Sequence, residues 1–204
     1  LALACAVCST QVHGAGTSLT ADETRARELF AKLIAYRTSV GANQVPAMLE
    51  YVAGQFRAAG FPDADIQILP LGATASLVVR YRGDGSGGKP ILMMSHADVV
   101  TAERAEWRTD PYTLTEVNGF LYGRGAFDVK IGLVAQMETL LRLKAAGVVP
   151  TRDLILLVTG DEEDTQATAA NIAGSHRDLI DADFAFNADA GNGTLDESTG
   201  KALF

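Results

Sequence analysis

Cysteine is almost missing from this chain. Its two residues, Cys5 and Cys8, fall in the first eight of 204 positions, so beyond them neither a structural disulfide nor a thiolate metal site is available. Histidine is nearly as scarce: any imidazole chemistry rests on His13, His96 or His176. There is no Lys/Arg run, and 17 basic against 25 acidic residues give a formal charge of −8. That balance lacks the electrostatic footprint expected for nucleic acid or an anionic membrane surface. The opening apolar run, residues 1–7, is too short to span a bilayer, and no internal repeat or low-complexity tract stands out. What is present is 48% apolar content, enough for one good-sized core, so a single globular unit is the starting expectation.

Both ends of the chain are informative. Residues 1–16 read as the tail of a secretory signal, apolar and then small and polar, which predicts a periplasmic or secreted protein. A cleaved signal is favoured over a lipid-modified Cys5, which the preceding residues match only loosely. At the other end, residues 195–204 finish without a helix or closing turn, and the C-terminal side of the protein is expected to be absent.

Between the ends, helices alternate with strands. Thr20-Ala-Asp-Glu23 is a capping box opening a helix over residues 22–37. A second helix has Pro46 in its first turn, Leu49, Val52, Ala53 and Phe56 as its inner stripe, and Gly60 as its stop. Strands are predicted over residues 66–71, 76–82 and 90–95, with the glycine-rich residues 83–88 as a hairpin turn, since a strand and not a helix follows them. After a long loop come a helix over 129–146, a strand buried on both faces over 154–158, a helical stretch over 165–173, and a strand over 184–187. This alternation predicts an α/β fold, a three-layer α/β/α sandwich around a mostly parallel mixed sheet.

The acidic residues are placed, not scattered. His96 and Asp98 follow an apolar strand, and residues two apart on an extended chain project to one side, so Asp98 can hold the ring that a metal would bind. A Ser95–His96–Asp98 triad is disfavoured because adjacent strand residues face opposite ways. Asp128 precedes a helix, which leaves an N-terminal cap as its ordinary role. Asp161, Glu162, Glu163 and Asp164 follow the buried strand, and Asp189 follows the next, at the strand ends where open α/β sheets build ligand crevices. Nitrogen and oxygen donors without thiolates suit Zn²⁺, Co²⁺ or Mn²⁺. Of the neighbouring Glu162 and Glu163, one can bind metal while the other takes a proton.

These stretches resemble the di-zinc peptidases and amidohydrolases that include glutamate carboxypeptidase, succinyl-diaminopimelate desuccinylase, aminoacylase and carnosinase. The matching segments are Met94-Ser-His-Ala-Asp-Val-Val100, Trp107 with Asp110-Pro-Tyr112, Gly119-Phe-Leu-Tyr-Gly-Arg-Gly-Ala-Phe-Asp-Val-Lys130, Gly160-Asp-Glu-Glu163 and Ala182-Asp-Phe-Ala-Phe-Asn-Ala-Asp189. The resemblance implies two divalent ions, zinc by preference. His96 and Asp189 would bind one, Glu163 the other, and Asp128 both; Asp98 would orient His96. It implies hydrolysis of a peptide or N-acyl amino-acid amide bond, of dipeptidase or carboxypeptidase type, by metal-activated water with Glu162 as general base.

Residues 17–204 then form the N-terminal part of a metallopeptidase catalytic domain. The family's lid domain, through which a homodimer would form, and its final metal-ligating histidine have no counterpart after Asp189. His176 reads as a surface residue at a helix end. The 204 residues alone are therefore expected to show little or no catalysis. The competing readings are a non-catalytic metal-binding or scaffold fragment and an ordinary acidic surface.

Overall fold

The computed structural model describes residues 19–189 and the short paired strands Thr194–Leu195 and Ala202–Leu203. The signal-like segment with Cys5, Cys8 and His13 lies outside the described residues. Helix α1 (Ala21–Ala35) begins on the predicted capping box, with Thr20 and Glu23 bonded reciprocally. Helix α2 (Val45–Ala58) carries Pro46 in its first turn, and its stripe of Leu49, Val52, Ala53 and Phe56 is completely buried. Removing such side chains from water stabilises the fold by about 1.5–3 kcal/mol for each large one.

Strands β1 (Ile66–Leu71), β2 (Thr74–Tyr81), β3 (Ile91–His96), β6 (Leu154–Thr159) and β7 (Phe184–Asn187) form one sheet in the order β1-β2-β6-β3-β7. Two pairings are antiparallel and two parallel: β2 alone runs against the other four. The mixed sheet agrees with expectation. The hairpin assigned to residues 83–88 does not, because β2 and β3 lie on opposite sides of β6 and never pair. That segment instead crosses the start of β6, with Asp84 N–H donating to Pro150 O and Gly87 N–H to Thr151 O. The hairpin is the tight turn at Gly72 between β1 and β2.

Alternation along the strands sorts the two faces. Leu77, Val79, Met93, Leu156 and Val158 pack under α1, α2 and α3 (Lys130–Ala145). Val78, Leu92, Ile155 and Leu157 pack with Ile172 of α4 (Ala167–Ser175), completing the third layer. Strand β7 is an edge strand with Phe184 and Phe186 exposed. The predicted long loop between β3 and α3 contains a further hairpin, β4 (Thr115–Val117) with β5 (Phe120–Tyr122). Its two-residue turn, Asn118-Gly119, takes positive φ at both positions, as a type I′ turn requires.

Candidate metal centre

Chain order sets the position of the site. From β3 the chain crosses α3 to β6 on one side, then crosses α4 to β7 on the other. The C-terminal ends of these three parallel strands therefore meet where the strand order reverses, the usual crevice of an open α/β sheet. His96 ends β3, in register with Thr159 at the end of β6, and Met94 is in register with Asn187 at the end of β7. Gly160 lets the β6 end pass close to its neighbour: a Cβ there would lie 2.3 Å from Ala75 O.

The predicted residues come together around His96, which is 1% exposed. Its Nε2 lies 3.0 Å from Asp128 Oδ1 and 4.0 Å from Asp189 Oδ2. Two groups of potential ligands share this imidazole: His96 with Asp128 and Glu163, and His96 with Glu162 and Asp189, ligand atoms within 4.8 Å of one another in each. Glu163 thus lies with Asp128. Glu162 stands within ligand reach of the His96 and Asp189 side, and its Oε1 accepts from Gln166 Nε2 at 3.1 Å.

Asp98 holds His96, but chiefly through its backbone. His96 Nδ1 is 3.0 Å from Asp98 O and 3.5 Å from Asp98 Oδ1. The carboxylate mainly fixes the loop after β6, with Oδ1 accepting from Glu162 N–H at 3.0 Å and Oδ2 from Glu163 N–H at 2.9 Å. One buried residue thereby sets both the imidazole and the loop bearing the two glutamates. Asp128 is not a helix cap, since α3 starts at Lys130 without a side-chain cap. Ser95 points away from His96 and donates to Gln136 Oε1 of α3 at 2.8 Å, which rules out the serine triad.

Three supporting residues were not singled out from sequence. Gln136 Nε2 also donates to Met94 O at 3.0 Å, tying α3 to β3. Lys130, fully buried, donates from Nζ to Leu33 O and Tyr36 O at 2.9 Å each, at the C-terminal end of α1. Burial brings its ammonium down to about 7 against the opposing pull of Asp98. Asp161, the first of the four acids, accepts from Ala167 N–H at 2.8 Å and Thr168 N–H at 3.0 Å and so caps α4. An Asp a few residues ahead of a helix with Thr165 and Thr168 is a signal that could have found it. His176 ends α4, as expected.

The charge pattern fits a cation. Burial opposes a charged His96, yet the carboxylates of Asp98 and Asp128 outweigh it and bring the imidazole up to about 9. Burial and the neighbouring charges of Asp128, Asp98 and Glu162 push the Glu163 carboxyl up, partly offset by His96. Among the described residues no Lys or Arg pairs with Asp128, Glu162 or Glu163. A buried imidazole among several carboxylates is a donor set suited to a divalent ion of the zinc type.

Asp161 behaves differently. Burial pushes its carboxyl up, but hydrogen bonds from Thr165, Thr168 and Ala167 outweigh that and hold it below its ordinary 3.8. A group so depressed contributes stability above the ordinary value and loses it as the pH falls through the folded value. Asp161→Asn is expected to cost about 1–2 kcal/mol near neutrality by urea denaturation. The gap from the parent should close as the pH drops below 3.8.

A mixed α/β sheet carrying overlapping His/carboxylate groups at its parallel strand ends suits the class of metal-dependent hydrolases. Residues 92–202 match Peptidase family M20/M25/M40, and the chain belongs to that family. It is 32% identical over 158 residues to an acetylornithine deacetylase of Yersinia pseudotuberculosis, covering 72% of this chain and 39% of that protein. It is 40% identical over 113 residues to a probable succinyl-diaminopimelate desuccinylase of Staphylococcus aureus, covering 54% and 28%. The chain thus spans well under half the length of these curated relatives. Among solved structures it superposes on human carnosine dipeptidase 1 (TM-score 0.70, 21% identity, 83% of this chain and 40% of that one). It also superposes on the metallo-carboxypeptidase Sso-CP2 of Sulfolobus solfataricus (TM-score 0.72, 19% identity, 90% and 39%). No helix among the described residues is long and apolar enough to cross a membrane.

Proposed function

We propose that the complete protein hydrolyses a peptide or N-acyl amino-acid amide bond with two zinc ions held by His96, Asp128, Glu163 and Asp189. The observation that carries this reading is the pair of ligand groups sharing His96 at the strand-order reversal. Bound divalent ions supply Lewis acidity, polarising the scissile carbonyl and easing the deprotonation of water. Glu162 takes a proton from the attacking water as the new C–O bond forms, then delivers it to the leaving nitrogen as the C–N bond breaks. Gln166, at 3.1 Å, steadies the Glu162 carboxylate for that transfer. Asp98 keeps Nε2 of His96 directed at the ion and the two glutamates at their places. The names of the relatives, a deacetylase, a desuccinylase, a dipeptidase and a carboxypeptidase, support amide bonds next to amino acids as the substrate class. The reading includes export to the periplasm or beyond, on the strength of residues 1–16, and a homodimer formed outside the described residues.

The test is amine release by the complete protein from a panel of N-acyl amino acids and dipeptides, with metal content measured in parallel. Two zinc ions per chain and release abolished by a chelator are expected. Two bound ions with no release from any member of the panel would establish the non-catalytic metal-binding reading instead.

A further inference from the structure

Three of the four assigned ligands stand at the ends of elements that meet in one buried junction. Met94 O, two residues before His96, accepts from Ala188 N–H at 2.9 Å, and Ala188 immediately precedes Asp189. The same carbonyl accepts from Gln136 Nε2 at 3.0 Å, and Gln136 belongs to α3, the helix that opens two residues after Asp128. Gln136 Oε1 in turn accepts from Ser95 Oγ at 2.8 Å. Gln136 is 5% exposed and Ser95 4%. Polar groups so buried are costly to leave unpaired, so these bonds hold α3 at one height along β3. The helix must also come close to β7. Gly132, four residues before Gln136 and on the same helix face, lies against the residue ahead of Asp189. A Cβ on it would stand 2.6 Å from Ala188 Cβ and 3.3 Å from Ala188 O, so only glycine permits the approach. Helix α3 is thus bonded to the end of β3 at Gln136 and pressed on the end of β7 at Gly132, while Asp128 leads into it.

We propose that Gln136 is a positioning residue of the metal centre: through Met94 O it locks the ends of β3 and β7 to α3 and so sets how far His96, Asp128 and Asp189 stand from one another. It touches neither ion nor substrate. The proposal rests on the ligand assignment of the hydrolytic reading and not on the hydrolysis itself. The role differs from core packing in one testable respect. Ser95 and Gln136 can be made apolar together, which removes two polar groups at once and leaves neither unpaired. The bond from Gln136 to Met94 O has no such substitute, so fold stability and ligand spacing come apart in the variants.

The test measures zinc affinity of the complete protein by competition with a chromophoric chelator, alongside the urea midpoint of the metal-free form. Gln136→Met keeps the length of the side chain and loses its hydrogen bonds. It is expected to bind zinc about tenfold more weakly, the lower end of the range for losing a group that supports a ligand. Its urea midpoint should fall by roughly 0.5–1 M, the cost of an unpaired buried group over a typical denaturant slope. Ser95→Ala leaves the bond to Met94 O in place, so it should lower the midpoint with zinc affinity close to the parent's. The double variant S95A/Q136M should regain most of the midpoint and keep the tenfold loss of affinity. The visible absorption of the cobalt form, which follows ligand geometry, should change in both Gln136 variants and not in Ser95→Ala. Zinc affinity unchanged in Gln136→Met, or recovering with the midpoint in the double variant, overturns the proposal. If Gln136→Met does not fold, Gly132→Ala takes its place, because it keeps these hydrogen-bonding groups and displaces Ala188. Zinc affinity equal to the parent's in that variant overturns the proposal too. Amine release separates the two readings. Weakened zinc binding in Gln136→Met with no release by the parent leaves the positioning role standing and removes hydrolysis. Release by the parent with zinc affinity unchanged in Gln136→Met does the reverse.

Discussion

Glu162→Gln in the complete, zinc-loaded protein is expected to lower the hydrolytic rate by about 10²–10⁴-fold while leaving the metal content unchanged, the usual cost of removing a general base. Glutamine keeps the shape of the side chain and its hydrogen bond with Gln166 but cannot accept the proton of the attacking water. Glu163→Gln should act differently, lowering both activity and metal content, because Glu163 is the carboxylate grouped with His96 and Asp128. The pair of variants is needed because Glu162 also lies within ligand reach of His96 and Asp189. Metal loss in Glu162→Gln with metal retained in Glu163→Gln would exchange the two roles. Full activity in Glu162→Gln would remove Glu162 from the chemistry altogether.

Asp98→Ala is expected to weaken metal binding by about 10–100-fold, as loss of a ligand's supporting group does, although Asp98 itself is not assigned to the ion. The substitution leaves the Glu162 and Glu163 N–H groups without their acceptor and removes the carboxylate beside His96 Nδ1. Unlike a change to a ligand, it should also loosen the loop that follows β6. Amide hydrogen exchange at Glu162 and Glu163 should accelerate, and urea denaturation should show a loss of about 3–5 kcal/mol, the range for removing one partner from a buried charged pair. Zinc affinity unchanged in Asp98→Ala would show that the Asp98 carbonyl alone, 3.0 Å from Nδ1, suffices to hold the ring.

Much of the fold was legible because its signals are local. The capping box at Thr20, Pro46 in the first turn of α2 and the apolar run of β6 each act through neighbours a few residues away, and all three stand where expected. The Asn118-Gly119 hairpin was equally local and went unread, its strands being only three residues each. Residues 83–88 were misassigned for the opposite reason. Whether two consecutive strands pair depends on what lies between them, and here β6, more than sixty residues away in sequence, takes that place. The four acids after β6 show the same limit. Asp161 is buried as a cap, Glu162 and Glu163 face the cluster, and Asp164 is exposed, a division no charge count reveals.

By itself, then, the sequence determined which residue types were available and in what order. Nearly no cysteine and few histidines pointed to nitrogen and oxygen donors in place of thiolates, and the apolar strands that lead to His96, Glu162 and Asp189 set the site's location along the chain. The tertiary structure decided which of these groups share a ligand atom's neighbourhood, that Asp98 serves the glutamate loop as well as the imidazole, and that Arg124 lines the same cavity as Asp128 and Glu163. The physical reason is that hydrogen bonding and Coulomb attraction act over a few ångströms of space. Asp98 and Glu162 are 64 positions apart in the chain, and only the parallel pairing of β3 with β6 brings the Glu162 N–H to 3.0 Å from the Asp98 carboxylate.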